Sequence, residues 1–428
     1  MTKIDSILEK ILVNLIIFLP VIFFFRSFLL NLAVMLIVLI YIILCFKKKN
    51  NLLEYDHNKI LLLFFAYFFC SQFYTSNDPS SLFKSFALLR YFFLFNAIIF
   101  VISIIQIDEF KNKLKILLFL NILFILDIFF QYFMGHNILG FEPFMCDENG
   151  DACQRYSGFF GKEFIAGSYL STISILIFIL CKMFYTNKYI NCFPLIILIT
   201  IFITGERSAF LIALIFNIIF YALKIKFNVK NLALTIIILL IIGLSGKFLI
   251  KDQTKSRFTS DIVDYIYTDS NLTFLESIKT TSWGLHYTGS FIMISKKPFL
   301  GSGYKSFRKN CSDYEYINIR KSSRYTVCST HPHNFHLEIL VDAGIVGYFI
   351  FITSLVLMIR KYYPFVSLKK NKLNILIFIY FITMIFMPRP TGSLLSTFFA
   401  TQFWFTAGSL IGYKNFITSN SLDRKLFF

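Results

Sequence analysis

The sequence predicts an all-α polytopic membrane protein of about twelve transmembrane helices with one large periplasmic loop. Three observations carry this. Of 428 residues, 57% are hydrophobic, 56 are Phe and only 15% are charged, a balance that soluble globules do not show. Apolar runs of about 17 to 25 residues, the length that crosses a hydrocarbon core, recur along the chain. The formal charge of +18 is dispersed in short Lys/Arg runs between those segments. Such runs suit loops held on the cytoplasmic side, and their dispersal argues against a nucleic-acid-binding face.

The runs fall at 11–25, 27–46, 60–76, 85–106, 114–134, 164–184, 190–204, 208–223, 231–250, 334–359, 373–388 and 393–413. The first is followed at once by a second and lacks a small-residue cleavage site, so it reads as a span and not as a cleaved signal. Lys47-Lys48-Lys49, Lys111, Lys113, Lys115, Lys224, Lys226, Arg360, Lys361, Lys369 and Lys370 then share one side, which the positive-inside rule makes cytoplasmic. On the opposite side lie a short loop at 135–163 and a long one at 251–333, too long to be idle. The expected organisation is 1–250, nine helices with the short loop; 251–333, the large loop; and 334–428, three helices and a cytoplasmic tail.

Cys45, Cys70, Cys181 and Cys192 lie in or beside apolar runs, where a thiol is a small hydrophobe. Cys146, Cys153, Cys311 and Cys328 lie in the two polar loops. If those loops face an oxidising compartment, Cys146–Cys153 and Cys311–Cys328 are the nearest pairings; free thiols are the competing reading.

Ionisable residues that interrupt apolar sequence come next. Arg90 stands inside the fourth run, facing an aqueous cavity or paired within the bundle. Arg155 precedes a membrane helix, a guanidinium suited to a diphosphate or else paired with Glu163 or Asp151. Arg207 opens a helix after Thr204-Gly205-Glu206, bound to an anionic ligand or snorkelling beside Glu206. Cys328-Ser329-Thr330-His331-Pro332-His333-Asn334 then leads into the apolar segment that carries Gly344, Gly347 and Tyr348. An imidazole at such a mouth can take a proton from a hydroxyl; a helix-capping histidine is the plainer reading. No metal is expected. The acidic cluster at 147–151 has no carboxylate at the twelfth position of a calcium loop, and Asp78 before Pro79 reads as a helix cap.

The spacing of His333-Asn334, nine residues, Gly344, two residues and Gly347-Tyr348 resembles the signature of the O-antigen ligase family, which is grouped with Wzy-type polymerases. Thr204 to Ser208 resembles that family's T-G-x-R segment, Arg155 to Phe160 its R-x-S-G-x-F stretch, Pro298 to Arg308 its P-L-x-G-x-G segment, and Pro388 to Ser393 its last hairpin. The resemblance implies a GT-C-like helical fold in a bacterial inner membrane, with its active site on the periplasmic side. It also implies a membrane glycosyltransferase that needs no cofactor and moves a glycan from a polyprenyl-diphosphate carrier to a sugar hydroxyl of lipid A-core. A polymerase using a second lipid-linked repeat as acceptor is the alternative, and a lipid-linked glycan transporter a more distant one. The roles it implies are His333 as base, Arg207, Arg155 and Arg90 on the diphosphate, and Asn334, His331, His286 and Arg308 in support. One departure is Trp283, which stands where many ligases have a third arginine; His286 and Arg308 are the substitutes nearest to hand. Gly301 and Gly303 are expected to turn the backbone and to present N–H groups to an anion.

Overall fold

The computed structural model describes residues 3–48, 52–75, 78–145, 154–182, 184–185, 188–224, 251, 254, 279, 281–311, 328–362, 372–386 and 390–419. Among these residues the chain is helical apart from connecting turns and one antiparallel pair, β1 (Phe144–Met145) and β2 (Gln154–Arg155), in which Phe144 faces Arg155. Five helices are long and apolar enough to cross a membrane: Leu19–Lys48, Pro79–Ile104, Ile107–Met134, Arg207–Lys224 and Phe335–Lys361. Ala166–Cys181, Tyr189–Thr204 and Leu373–Ile385 are shorter apolar helices. The protein is therefore polytopic. The expected twelve spans reduce, among the described residues, to these five and three; the run at 231–250, most of the 251–333 loop, Cys146 and Cys153 lie outside them.

Contacts divide the chain into two compact units. One comprises Met1–Ile105, Tyr265–Ser367 and Met384–Ser421; the other comprises Gln106–Asp264, Leu368–Thr383 and Leu422–Phe428.

The first unit holds α1 (Lys3–Ile17), α2 (Arg26–Lys48), α3 (Asp56–Thr75), α4 (Pro79–Ala87) and α5 (Arg90–Ile104). Along α2, Val34 and Ile37 are buried while Met35 and Leu39 are exposed. A helix apolar on both faces is what lipid on one side and protein on the other require. From α4 to α5 the chain passes through i→i+3 bonds, Leu88 to Ser85 and Tyr91 to Leu88, and Arg90 sits at that tightened joint.

Later in sequence the same unit adds the last helix, numbered below, which lies on α5. Its Gly408 and Gly412 form a G-x-x-x-G pair, and a Cβ on Gly412 would stand 2.9 Å from Ile102 Cβ. Small residues at that spacing let two helix backbones approach closely in a membrane. Trp404 fills the centre, with ring centroids 5.7 Å from Phe95 and 6.1 Å from Phe65.

The second unit contains α6 (Ile107–Met134), α7 (Ala166–Cys181), α8 (Phe193–Thr204) and α9 (Arg207–Lys224). A π turn at Leu170–Ser174 interrupts α7. Carbonyls that such a turn leaves without their helical partners need another donor, and the Tyr380 hydroxyl supplies it, 2.5 Å from Thr172 O. Gly205, in the left-handed region at φ 74, ends α8 and allows Arg207 to open α9 directly after it.

Returning to the first unit, α10 (Ser282–Lys296), α11 (Ser306–Asn310) and α12 (Phe335–Tyr362) follow; α13 (Lys372–Ile385) belongs to the second unit as far as Thr383, and α14 (Thr397–Ser419) is the last helix. The long helix α12 breaks at Gly344, φ 66 and ψ −174.

Candidate functional site

Gly344 and Gly301 explain one another. The break frees backbone groups of α12, and the segment 298–303 docks on them. Ile345 N donates to Pro298 O at 2.8 Å, Ser302 N to Val341 O at 2.7 Å and Gly303 N to Asp342 O at 3.0 Å. The approach is so close that a Cβ on Gly301 would lie 2.5 Å from the Asp342 carbonyl carbon. Gly347 makes room for the ring of Tyr67, whose hydroxyl donates to Ala343 O at 3.0 Å.

These bonds correct the anion-binding expectation for Gly301 and Gly303. Gly301 N donates to Lys297 O, Ser302 N and Gly303 N to α12, Tyr304 N to Gln72, and Lys305 N and Ser306 N to the Asp342 carboxylate. The N–H groups of this turn are spent inside the protein, because buried backbone donors must find partners.

His333 itself lies in the left-handed region, φ 52, uncommon for a residue with a side chain. Its Nε2 is 3.2 Å from Ser329 Oγ. Ring centroids place it 4.3 Å from His331 and 5.2 Å from His286. Burial drives the His333 pKa down to about 3, with the neighbouring His331 and His286 adding to the fall. Burial likewise pushes His331 down to about 4. All this favours neutral rings at neutral pH, the form able to accept a proton. Among the described residues no three His, Cys, Asp or Glu side chains are placed to hold a metal ion, these three rings included.

Asn334 caps α12: its Oδ1 accepts from His336 N at 2.9 Å and Leu337 N at 3.1 Å, while its amide donates to Tyr287 Oη at 3.3 Å. Cys311 and Cys328 are joined by a disulfide, Cα atoms 5.3 Å apart. Arg308 is exposed on α11, and its neighbour Lys309 reaches Asp78, whose carboxylate caps α4 through Ser80 N. Arg90 donates to Tyr91 Oη at 3.0 Å and lies over that ring; its field reaches Tyr304, whose hydroxyl burial pushes up to about 12.

Three residues that the motif reading passed over organise this unit. Glu338 and Asp342, one turn apart on α12 and both buried, interrupt an apolar run, the signal that could have revealed them. Lys305, left-handed at φ 52, has its pKa lowered by burial against the opposing pull of both carboxylates.

In the second unit Arg155 lies on β2 with its guanidinium 4.8 Å from the Phe164 ring centroid. Its loop is stitched to α6: Gln131 Oε1 accepts from Ser157 N and Gly158 N, each at 2.9 Å, and the Asn137 amide donates to Gly158 O at 2.9 Å. Glu206, which precedes Arg207, takes the N–H groups of Gly167 at 2.6 Å and Ser168 at 3.0 Å, which caps α7. The first unit thus gathers His286, His331, His333 and Asn334, with Arg90 and Arg308 elsewhere in it, while Arg155 and Arg207 belong to the second.

Residues 192–352 match the family model for O-antigen ligase, a stretch that takes in Arg207, His286, Arg308, His333, Gly344 and Gly347 but not Arg90 or Arg155. No curated protein matches the chain. The match points to glycosyl transfer of the O-antigen ligase or polymerase type, on lipid-linked glycans, by an integral membrane protein.

Proposed function

We propose, from a chain that carries an O-antigen ligase domain at residues 192–352, that it moves a glycan from a polyprenyl-diphosphate carrier to a sugar hydroxyl of lipid A-core. A half-buried His333, held left-handed in the turn at the head of α12 beside His331 and His286, is the observation that carries this reading. His333 accepts the proton of the attacking hydroxyl while the acceptor oxygen bonds to the anomeric carbon. The bond from that carbon to the diphosphate breaks, and its electron pair leaves with the polyprenyl diphosphate. Displacement in line inverts the anomeric centre. Charge grows on the departing diphosphate, and Arg207, Arg155 and Arg90 are the residues proposed to stabilise it, since a guanidinium offers paired charge-assisted bonds and keeps its charge. In this scheme the arginines take the part that a metal plays in other lipid-linked transferases, so neither metal nor cofactor enters. Positive charge in the loops that are expected on the cytoplasmic side supports a reading in which the chemistry takes place on the opposite, periplasmic side of a bacterial inner membrane.

The polymerase alternative shares every step and differs in acceptor alone. Purified protein incubated with lipid-linked glycan and either lipid A-core or a second lipid-linked repeat tests both. Product with lipid A-core and released polyprenyl diphosphate is the expected result. Elongation without lipid A-core would turn the assignment to polymerase, and movement of the lipid across a bilayer without diphosphate release would overturn transfer altogether.

A further inference from the structure

His333 is held by a chain of bonds that starts one turn into α12. Its carbonyl accepts from Thr391 N at 2.7 Å, and Thr391 Oγ1 accepts from Phe335 N at 2.9 Å. One residue thus grips the backbone on both sides of Asn334. The loop that carries Thr391 is fixed in turn by Glu338: Ser393 Oγ donates to its Oε1 at 2.5 Å and Leu394 N to its Oε2 at 2.8 Å. Gly392 between them is pressed against Phe399, where a Cβ would stand 2.9 Å from Phe399 Cβ. Thr391, Ser393 and Glu338 are all buried.

A left-handed backbone at a residue with a side chain is unfavourable and persists only where the surroundings enforce it. Nothing in the His-Pro-His sequence enforces φ 52 at position 333. The surroundings that do so are Thr391 and, behind it, a carboxylate with both oxygens occupied.

From this we infer that Glu338 is a positioning residue for transfer: through Ser393, Leu394 and Thr391 it locks His333 in the backbone conformation that aims its imidazole. The inference rests on the transferase reading above. Glu338 touches no reacting atom in this scheme. Its carboxylate can be replaced by an amide without losing the lock, because Gln can still accept from Leu394 N and can donate to Ser393 Oγ.

The test compares Glu338→Ala, Glu338→Gln, Thr391→Val and His333→Ala in the full-length protein, each checked for a monodisperse, cooperatively melting sample before assay. Glu338→Ala should lower kcat on the order of 10- to 100-fold with the donor KM within about 2-fold, the cost of a misplaced catalytic group. Glu338→Gln should recover most of that loss. Thr391→Val keeps the N–H bond to His333 but removes the acceptor for Phe335 N, and should fall between the two.

A pH profile adds a readout that loss of packing alone would not move. The groups facing His333 are His286, His331 and the Ser329 hydroxyl, with Lys305 behind His331. A loosened turn admits water, so the acid limb of kcat in Glu338→Ala should rise from well below pH 5 toward the ordinary histidine range near 6.5. Equal losses in Gln and Ala variants, or a KM effect without a kcat effect, would overturn the positioning role. Full activity in His333→Ala would instead overturn the transferase assignment on which it rests.

Discussion

The imidazole of His286 lies 5.2 Å from that of His333, centroid to centroid, and His286 is itself buried against Phe307. Two bases so close resist double protonation. Burial above all, then the neighbouring His331 and His286, makes folded His333 bind protons less readily than the unfolded chain, and the sign of the pH effect follows. Above pH 6.5 both states are neutral there; as pH falls from 6.5 toward about 3 the unfolded state takes the proton first, and the fold loses stability. Thermal melts between pH 7.5 and 4 should show the midpoint falling on the acid side, less steeply in His286→Phe, which removes the like charge. A flat profile in the parent would contradict the lowered pKa of His333.

Arg207 opens α9 behind the left-handed Gly205. Arg207→Ala should reduce glycan transfer at least on the order of 100-fold, the usual scale for losing one oxyanion-stabilising group. Arg207→Lys keeps the charge but loses the planar fork, and should recover only part of the rate. Arg155→Ala should raise the donor KM more than Arg207→Ala does, since Arg155 lies on a loop strand and not at a helix start. Transfer kinetics with labelled donor decide both.

The disulfide between Cys311 and Cys328 closes a loop with a sequence separation of 17. A cross-link of that span stabilises by about 3 kcal/mol in the chain-entropy account. Cys311→Ser/Cys328→Ser should melt lower than the parent. It should also transfer more slowly, because Cys328 adjoins Ser329, the residue against His333 Nε2. Equal activity would show that the tether serves only stability.

Gly301 and Gly135 separate two reasons for a glycine. Both have positive φ, but a Cβ on Gly135 meets nothing within 4 Å, whereas on Gly301 it strikes the backbone of α12. Gly135→Ala should cost about 1 kcal/mol, the left-handed penalty alone. Gly301→Ala should cost clearly more and should abolish transfer by prising the segment 298–303 from Gly344. Denaturation midpoints of the two variants side by side give the comparison.

How far these features were legible in sequence depended on how local their causes were. Hydrophobic runs gave the helices and the polytopic class, because burial in lipid acts on every residue of a span. The His333-Asn334 and Gly344-Gly347 spacing marked the head of α12, because a helix cap and a helix break are set within one stretch. The same spacing could not show why Gly301 and Gly303 are glycines. Gly301 is constrained by the backbone of α12 some forty residues along the chain and Gly303 by Thr75 and Gln72 of α3, and the anion-binding expectation failed because those neighbours are distant in sequence. Glu338 and Asp342 stand in plain view in an apolar run, a signal independent of the histidine motif, whose spacing says nothing of the carboxylates that brace its surroundings. His286, chosen because Trp283 displaced an arginine, does lie beside His333.

Both polar loops depart from and return to anchored ends. Residues 146–153 leave and rejoin the chain at β1 and β2, where Phe144 faces Arg155, and residues 312–327 are closed off by the Cys311–Cys328 bond. Exchange of sequence at 146–153 and 312–327 is therefore expected to be tolerated as long as β1, β2 and the Cys311–Cys328 bond are kept, and the melting temperature and transfer rate of such chimaeras check it.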